Sequence, residues 1–274
     1  MTTPADASVV AAVGPAEESM QVVRLAAREA AAQGRSLSLL HAFNWEAAFD
    51  SPGGVTRAGA EDLIERAAAA ANDAEPAVPV SGEIVEGSPV QALIRRSESA
   101  YLVALGDGGM AGCGACVPAD APAVQVAARA DCPVLVVRPQ PPPAGPVLVG
   151  VDGSASSRTA LAFAFDCADR RSARVLAIRV LEPGRHDGEQ MLVQAVARAA
   201  RRHPAVAAEC HTIEGDPGTV LLEQSRSVQL AVVGARGDEP WRGMLGAVSQ
   251  SLLYHSPCPV IVVRGSVSAP PDGA

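Results

Sequence analysis

The stretch Gly234-Ala235-Arg236-Gly237-Asp238-Glu239-Pro240-Trp241-Arg242-Gly243-Met244-Leu245-Gly246-Ala247-Val248-Ser249 holds the most suggestive chemistry in this chain. Glycines let a backbone turn its N–H groups toward an anion and approach it closely, and a helix starting at the far end adds a positive dipole. A phosphate chain could lie there, although the same spacing also suits an ordinary connection between a strand and a helix. Arg236 and Arg242 flank the glycines and are placed either to meet phosphate oxygens or to stay solvated, while Trp241 could cover a ligand or stitch the loop down. A second candidate is Cys113-Gly114-Ala115-Cys116, whose two thiols could share a disulfide or half of a zinc site. No second C-x-x-C or adjacent His completes a four-ligand set, so loop thiols are the competing reading and no metal site is expected. The five histidines are scattered, and His255, near the end of an expected helix, suits a dipole contact better than catalysis.

Composition removes other chemistries. All 22 basic residues are Arg, which excludes a P-loop lysine and a Schiff base. A net charge of -8 argues against a broad polyanion-binding face, and an aromatic content of 3% weakens base stacking, so no nucleic-acid partner is expected. With 274 residues, 48% of them hydrophobic, and a mean hydropathy of +0.16, the chain can bury large cores. No apolar run approaches the roughly 18 residues of a membrane helix, and the start lacks a basic segment before an apolar one, so a soluble, cytoplasmic protein with reduced thiols and no membrane partner is expected.

The elements that must position these residues are written twice. Cys132-Pro133-Val134-Leu135-Val136-Val137-Arg138 matches Cys258-Pro259-Val260-Ile261-Val262-Val263-Arg264, 126 residues later. Glu86-Gly87-Ser88-Pro89 pairs with Glu214-Gly215-Asp216-Pro217, and Leu102-Val103-Ala104-Leu105-Gly106 with Leu230-Ala231-Val232-Val233-Gly234. A tandem duplication explains these pairings. The halves are 1–138 and 147–274, joined at 139–146 by a short, stiff proline-rich linker.

In the second half the pattern predicts strands at 147–151, 174–180, 206–213, 230–234 and 260–263, and helices near 157–170, 188–203, 217–226 and 247–255. In the first half it predicts strands near 8–13, 36–43, 77–85, 101–105 and 134–137, with helices near 17–33, 58–73, 89–98 and 122–130. Uninterrupted Val/Leu/Ile runs alternating with helices give an α/β class, two tandem doubly wound, Rossmann-like domains with five-stranded parallel sheets. Ligands of such folds sit beyond the carboxyl ends of the strands, which selects the loops after the first and fourth strands.

Those loops carry a resemblance. Val151-Asp152-Gly153-Ser154, Gly234-x-x-Gly237, Gly246-Ala247-Val248-Ser249 and the finish Cys258-Pro259-Val260-Ile261-Val262-Val263, in that order, make the second half similar to a universal stress protein domain over nearly all of 147–266. The whole chain resembles a tandem member of that family. The resemblance implies strand order 3-2-1-4-5, domains paired through their last strands as an internal pseudo-dimer with a homodimer open to it, and, in one branch, bound ATP with or without Mg2+. It places Asp152 on the adenosine moiety, the Val180 backbone beside the adenine, and Gly234, Gly237, Gly246, Val248 and Ser249 along the phosphates.

Two features depart from the family pattern. Eight residues separate Gly237 from Gly246 where nine are usual, and Ala247 replaces a Ser or Thr. A missing hydroxyl bond is worth about 0.5–1.5 kcal/mol, which weakens such a site without abolishing it. The first half keeps less: Gly14-Pro15 stands where the second half has Asp152-Gly153, and Asp120-Ala121-Pro122-Ala123 where it has Gly246 to Ser249. Proline removes a donor and a carboxylate repels phosphate, so ATP is expected in the second domain alone. The resulting expectation is a stress-response regulatory protein that binds adenine nucleotide and unidentified protein partners and is not an enzyme. An interaction scaffold with an empty site and a weak ATP hydrolase using Asp238 or Glu239 are the alternatives.

Overall fold

The structure, a computed structural model, describes residues 6–43, 57–108, 121–140, 144–182, 184, 188–235 and 243–264. The chain divides after Pro141 into two compact units.

The N-terminal unit runs β1 (Val9–Ala12), α1 (Ser19–Ala32), β2 (Leu37–Phe43), α2 (Arg57–Ala74), β3 (Val80–Glu86), α3 (Pro89–Ser97), β4 (Leu102–Gly106), α4 (Pro122–Arg129) and β5 (Val134–Val137). Every strand pair in it is parallel, in the order β3-β2-β1-β4-β5, with Val9 opposite both Leu37 and Leu102. The C-terminal unit repeats this as β6 (Val147–Gly150), α5 (Ala155–Arg170), β7 (Val175–Leu181), α6 (Glu189–Ala200), β8 (Ala208–Glu214), α7 (Pro217–Gln224), β9 (Leu230–Gly234), α8 (Ala247–His255) and β10 (Val260–Val263). Its strands are parallel too, in the order β8-β7-β6-β9-β10.

These segments are strands because β-branched residues suit a pleated surface and both sheet faces are covered. All four residues of β5 and of β10 are buried. The helices meet them with alanine: α1 buries Val22, Val23, Ala26, Ala27 and Ala30 on one stripe. In α5 the bulk comes from Leu161 and Phe165, both essentially inaccessible to solvent. Burying each such side chain contributes about 1.5–3 kcal/mol, which carries the fold with few aromatics.

The helix expected near 157–170 begins two residues earlier. Ser154 is its cap, and the Ser154 hydroxyl accepts from the Ser157 amide at 3.1 Å. Asp152 sets this start, because its Oδ1 accepts from the Ser154 amide at 2.8 Å and so turns the chain between β6 and α5. Gly153 completes the turn at φ +92°, a conformation that L side chains rarely adopt.

Cys132, Cys167 and Cys258 are buried thiols. Burial pushes the Cys132 thiol up to about 12, beyond what its backbone hydrogen bonds offset. A thiol is a poor nucleophile and the thiolate a good one, so Cys132 stays unmodified when the native protein meets iodoacetamide at pH 8 and reacts once denatured. Peptide mass spectrometry checks this; alkylation in the native state contradicts it. Cys113 and Cys116 lie outside the described residues. Among the described residues no helix is long and apolar enough to cross a membrane, and no group of three or more His, Cys, Asp and Glu is placed to hold a metal ion.

Candidate functional site

In a parallel sheet of order β8-β7-β6-β9-β10 the connection leaving β6 runs to β7 on one side and the connection leaving β9 runs to β10 on the other, and a crevice opens between the carboxyl ends of β6 and β9. A cleft of about 270 Å³ lies there. Its lining includes Asp152, Val180, Gly234, Gly246, Val248 and Ser249, six of the residues singled out from sequence. Gly237 lies outside the described residues, as do Arg236, Asp238, Glu239, Trp241 and Arg242.

One wall is apolar: Val151, Ile178, Val180, Pro217 and Leu221 offer a surface for a flat heterocycle. Ile178 and Val180 share a face of β7, two residues apart, and reach the cleft because β7 runs beyond β6, whose last residue Gly150 pairs with Ile178. Asp152 stands at the mouth, exposed. Burial pushes its carboxyl up, but hydrogen bonds from Ser154 and Ser157 outweigh that, and it rests below the usual carboxylate range. It is therefore ionised at neutral pH, with an oxygen able to accept from a hydroxyl group.

Two helices start at the cleft, and they differ. α7 is closed by Asp216, whose Oδ1 accepts from the Thr219 amide at 2.8 Å and from the Thr219 hydroxyl at 2.8 Å. α8 has Gly246 at its cap and no side-chain bond to its first turn. The amides of Ala247, Val248 and Ser249 have no intrahelical acceptor, because the first bond of the helix runs from the Gln250 amide to the Gly246 carbonyl at 3.0 Å. A carboxylate closes the start of α7, while among the described residues no side chain accepts from the first amides of α8, an arrangement that suits an anion at α8 better than at α7.

Gly234 is the close approach that forms the floor. A Cβ there would lie 2.4 Å from the Ser156 Oγ and 3.1 Å from the Ser156 carbonyl carbon, so β9 meets the first turn of α5 only through glycine. The loop leaving β9 is pinched at its base, where the Gly246 amide donates to the Ala235 carbonyl at 2.8 Å.

The N-terminal unit is built differently at the matching crevice. The Gly14 amide is spent on the Ser19 hydroxyl at 2.8 Å, and His41 Nδ1 donates to the Val13 carbonyl at 2.8 Å. Pro122 opens α4, which removes a first-turn donor, and Asp120 lies outside the described residues. Beyond β4 and β5, Asp107 and Arg138 form an ion pair at 3.2 Å with side chains 5% and 2% exposed. Reading the sequence missed this pair, although the signal was present: one charged residue directly follows each of two adjacent strands. A larger cleft in this unit, about 520 Å³, lies between β3 and α3 and is lined by Glu83, Glu86, Arg95 and Arg96 among others.

The fold and the cleft together define a tandem α/β protein with a crevice at the topological switch point of its C-terminal unit. A universal stress protein family model matches residues 7–138 and again 144–264. Universal stress protein Rv2623 of Mycobacterium tuberculosis is 30% identical over 292 residues, covering 95% of this chain and 97% of the relative. Universal stress protein Rv2005c of the same species is 35% identical over 213 residues, covering 70% of this chain and 72% of the relative. Among solved structures, a universal stress protein from Archaeoglobus fulgidus superposes with a TM-score of 0.69 at 19% identity, covering 96% of this chain and 97% of that one. The chain belongs to the universal stress protein family.

Proposed function

We propose that the C-terminal unit binds an adenine nucleotide, ATP with or without Mg2+, and that the protein is a nucleotide-responsive regulator and not an enzyme. The observation that carries this reading is the convergence on one cleft of an apolar wall, an ionised carboxylate and an uncapped helix start. The wall accommodates the adenine, Asp152 accepts from the ribose, and the amides of Ala247 and Val248 meet phosphate oxygens. The lost hydroxyl at Ala247 is offset by donors that belong to the backbone and survive side-chain change.

Hydrolysis needs a base or metal anchor at the terminal phosphate. Asp152 is the one carboxylate among the described lining residues, and it is held in the turn that caps α5. In the N-terminal unit the spent Gly14 amide and the proline at the start of α4 suit a structural or regulatory partner.

Isothermal titration calorimetry of the full chain with ATP tests the reading. The wild type gives a saturable heat, and Asp152→Ala weakens binding about 10- to 100-fold, since a hydrogen bond to a charged acceptor is worth about 1.5–3 kcal/mol. Silence at millimolar ATP, with no nucleotide in the freshly purified protein, rejects the reading in favour of a scaffold. Multiple-turnover phosphate release above background rejects the non-enzymatic part.

A further inference from the structure

Ser249 lies at the cleft with its side chain almost entirely buried, 3% exposed, and its hydroxyl oxygen is 2.6 Å from the Gly234 carbonyl oxygen. A carbonyl only accepts, so the single Ser249 proton is given to Gly234. Phosphate oxygens at neutral pH also accept, and the hydroxyl has no second proton for them. We infer that Ser249 is a positioning residue: it holds the start of α8 against the end of β9 so that the Ala247 and Val248 amides face the phosphates, and it does not itself bind phosphate. The inference rests on the nucleotide reading above.

Two further bonds make Ser249 part of a clasp. The Gly246 amide donates to the Ala235 carbonyl at 2.8 Å, one residue after Gly234 on one arm and three residues before Ser249 on the other. The Gln250 Nε2 donates to the Leu245 carbonyl at 3.0 Å and fixes the residue that precedes the helix cap. Residues 234 and 235 on one arm are thereby joined to 246 and 249 on the other. Helix amides direct charge only over the first turn, so a small tilt of that turn is felt by a phosphate and not by the adenosine half of the cleft.

The test uses the full chain with Ser249→Ala and Ser249→Thr and two readouts. Without nucleotide, hydrogen exchange at the Gly246 amide rises about tenfold in S249A, because the neighbouring bond of the clasp is gone, and stays near wild type in S249T. In calorimetry, S249A binds ATP and AMP about 3- to 10-fold more weakly and binds adenosine within twofold of wild type, while S249T restores the ATP affinity.

Unchanged Gly246 exchange with weaker ATP binding makes Ser249 a direct ligand and overturns the inference. Equal losses for adenosine and ATP make it a general structural residue and overturn it as well. A wild type that binds neither adenosine nor ATP removes the nucleotide reading itself, a result distinct from both.

Discussion

Asp107→Ala destabilises the N-terminal unit by about 3–5 kcal/mol, the cost of removing one member of a buried ion pair. Arg138 is 2% exposed and Asp107 5%, so water cannot replace the lost carboxylate without opening the ends of β4 and β5. Arg138→Leu is equally harmful, because it removes the other member of the pair. The double variant Asp107→Leu/Arg138→Met loses much less than the singles combined, since apolar groups of similar volume often substitute for a buried pair at little cost. Native-state hydrogen exchange of the intact protein reads this directly. Amides of Leu102–Gly106 and Val134–Val137 exchange about 100-fold faster or more in Asp107→Ala, a factor of ten corresponding to about 1.4 kcal/mol. A change of half a kcal/mol or less, the scale of a solvent-exposed pair, contradicts the assignment.

Gly234→Ala is expected to damage stability and ligand binding together. Its Cβ would stand 2.4 Å from the Ser156 Oγ and 3.0 Å from the Ser156 Cβ, and Ser156 is anchored in the first turn of α5 with 8% exposure. Relief requires β9 to draw back from α5, and overpacking of this kind costs about 1–3 kcal/mol. Because Gly234 also receives the Ser249 hydroxyl, the same displacement tilts the start of α8, and ATP affinity falls more than tenfold.

Gly150→Ala is the comparison. The group its Cβ would meet, at 2.8 Å, is the Leu221 Cδ1, the far end of a flexible side chain that can turn aside. Thermal unfolding and calorimetry therefore separate the two glycines, with a drop of several degrees for Gly234→Ala and a smaller one for Gly150→Ala. Adding Ser156→Gly to Gly234→Ala recovers part of the loss. Equal behaviour of the two alanine variants shows that the contact at Gly234 is not the limiting one.

How far these features could be read in advance depended on their range. The strands were legible because Val147 to Gly150 or Val260 to Val263 are unbroken apolar runs, and such runs need no partner to be recognised. That Asp152, Gly234, Gly246, Val248 and Ser249 would line one cleft was legible through motif order, because the fold brings the loops after its first and fourth strands to one crevice, whereas Val180 came only from the family resemblance. Ser154 was obscured by its neighbours, since Ser154, Ser156 and Ser157 are each competent caps and only the Asp152 turn selects among them. The Asp107–Arg138 pair joins residues 31 apart and is visible only once β4 is known to lie beside β5. The Ser249 hydroxyl marks the remaining limit: its place was readable from spacing, but its direction is set by the Gly234 carbonyl in space.

The bond between the Gly246 amide and the Ala235 carbonyl ties the two ends of the intervening segment together, so a deletion within that segment changes its length and leaves the tied ends alone. By loop-closure entropy, trimming one residue from a segment of about ten changes the free energy by roughly 0.1 kcal/mol. The short spacing between Gly237 and Gly246 therefore carries little entropic penalty, and the start of α8 keeps its tether to the end of β9.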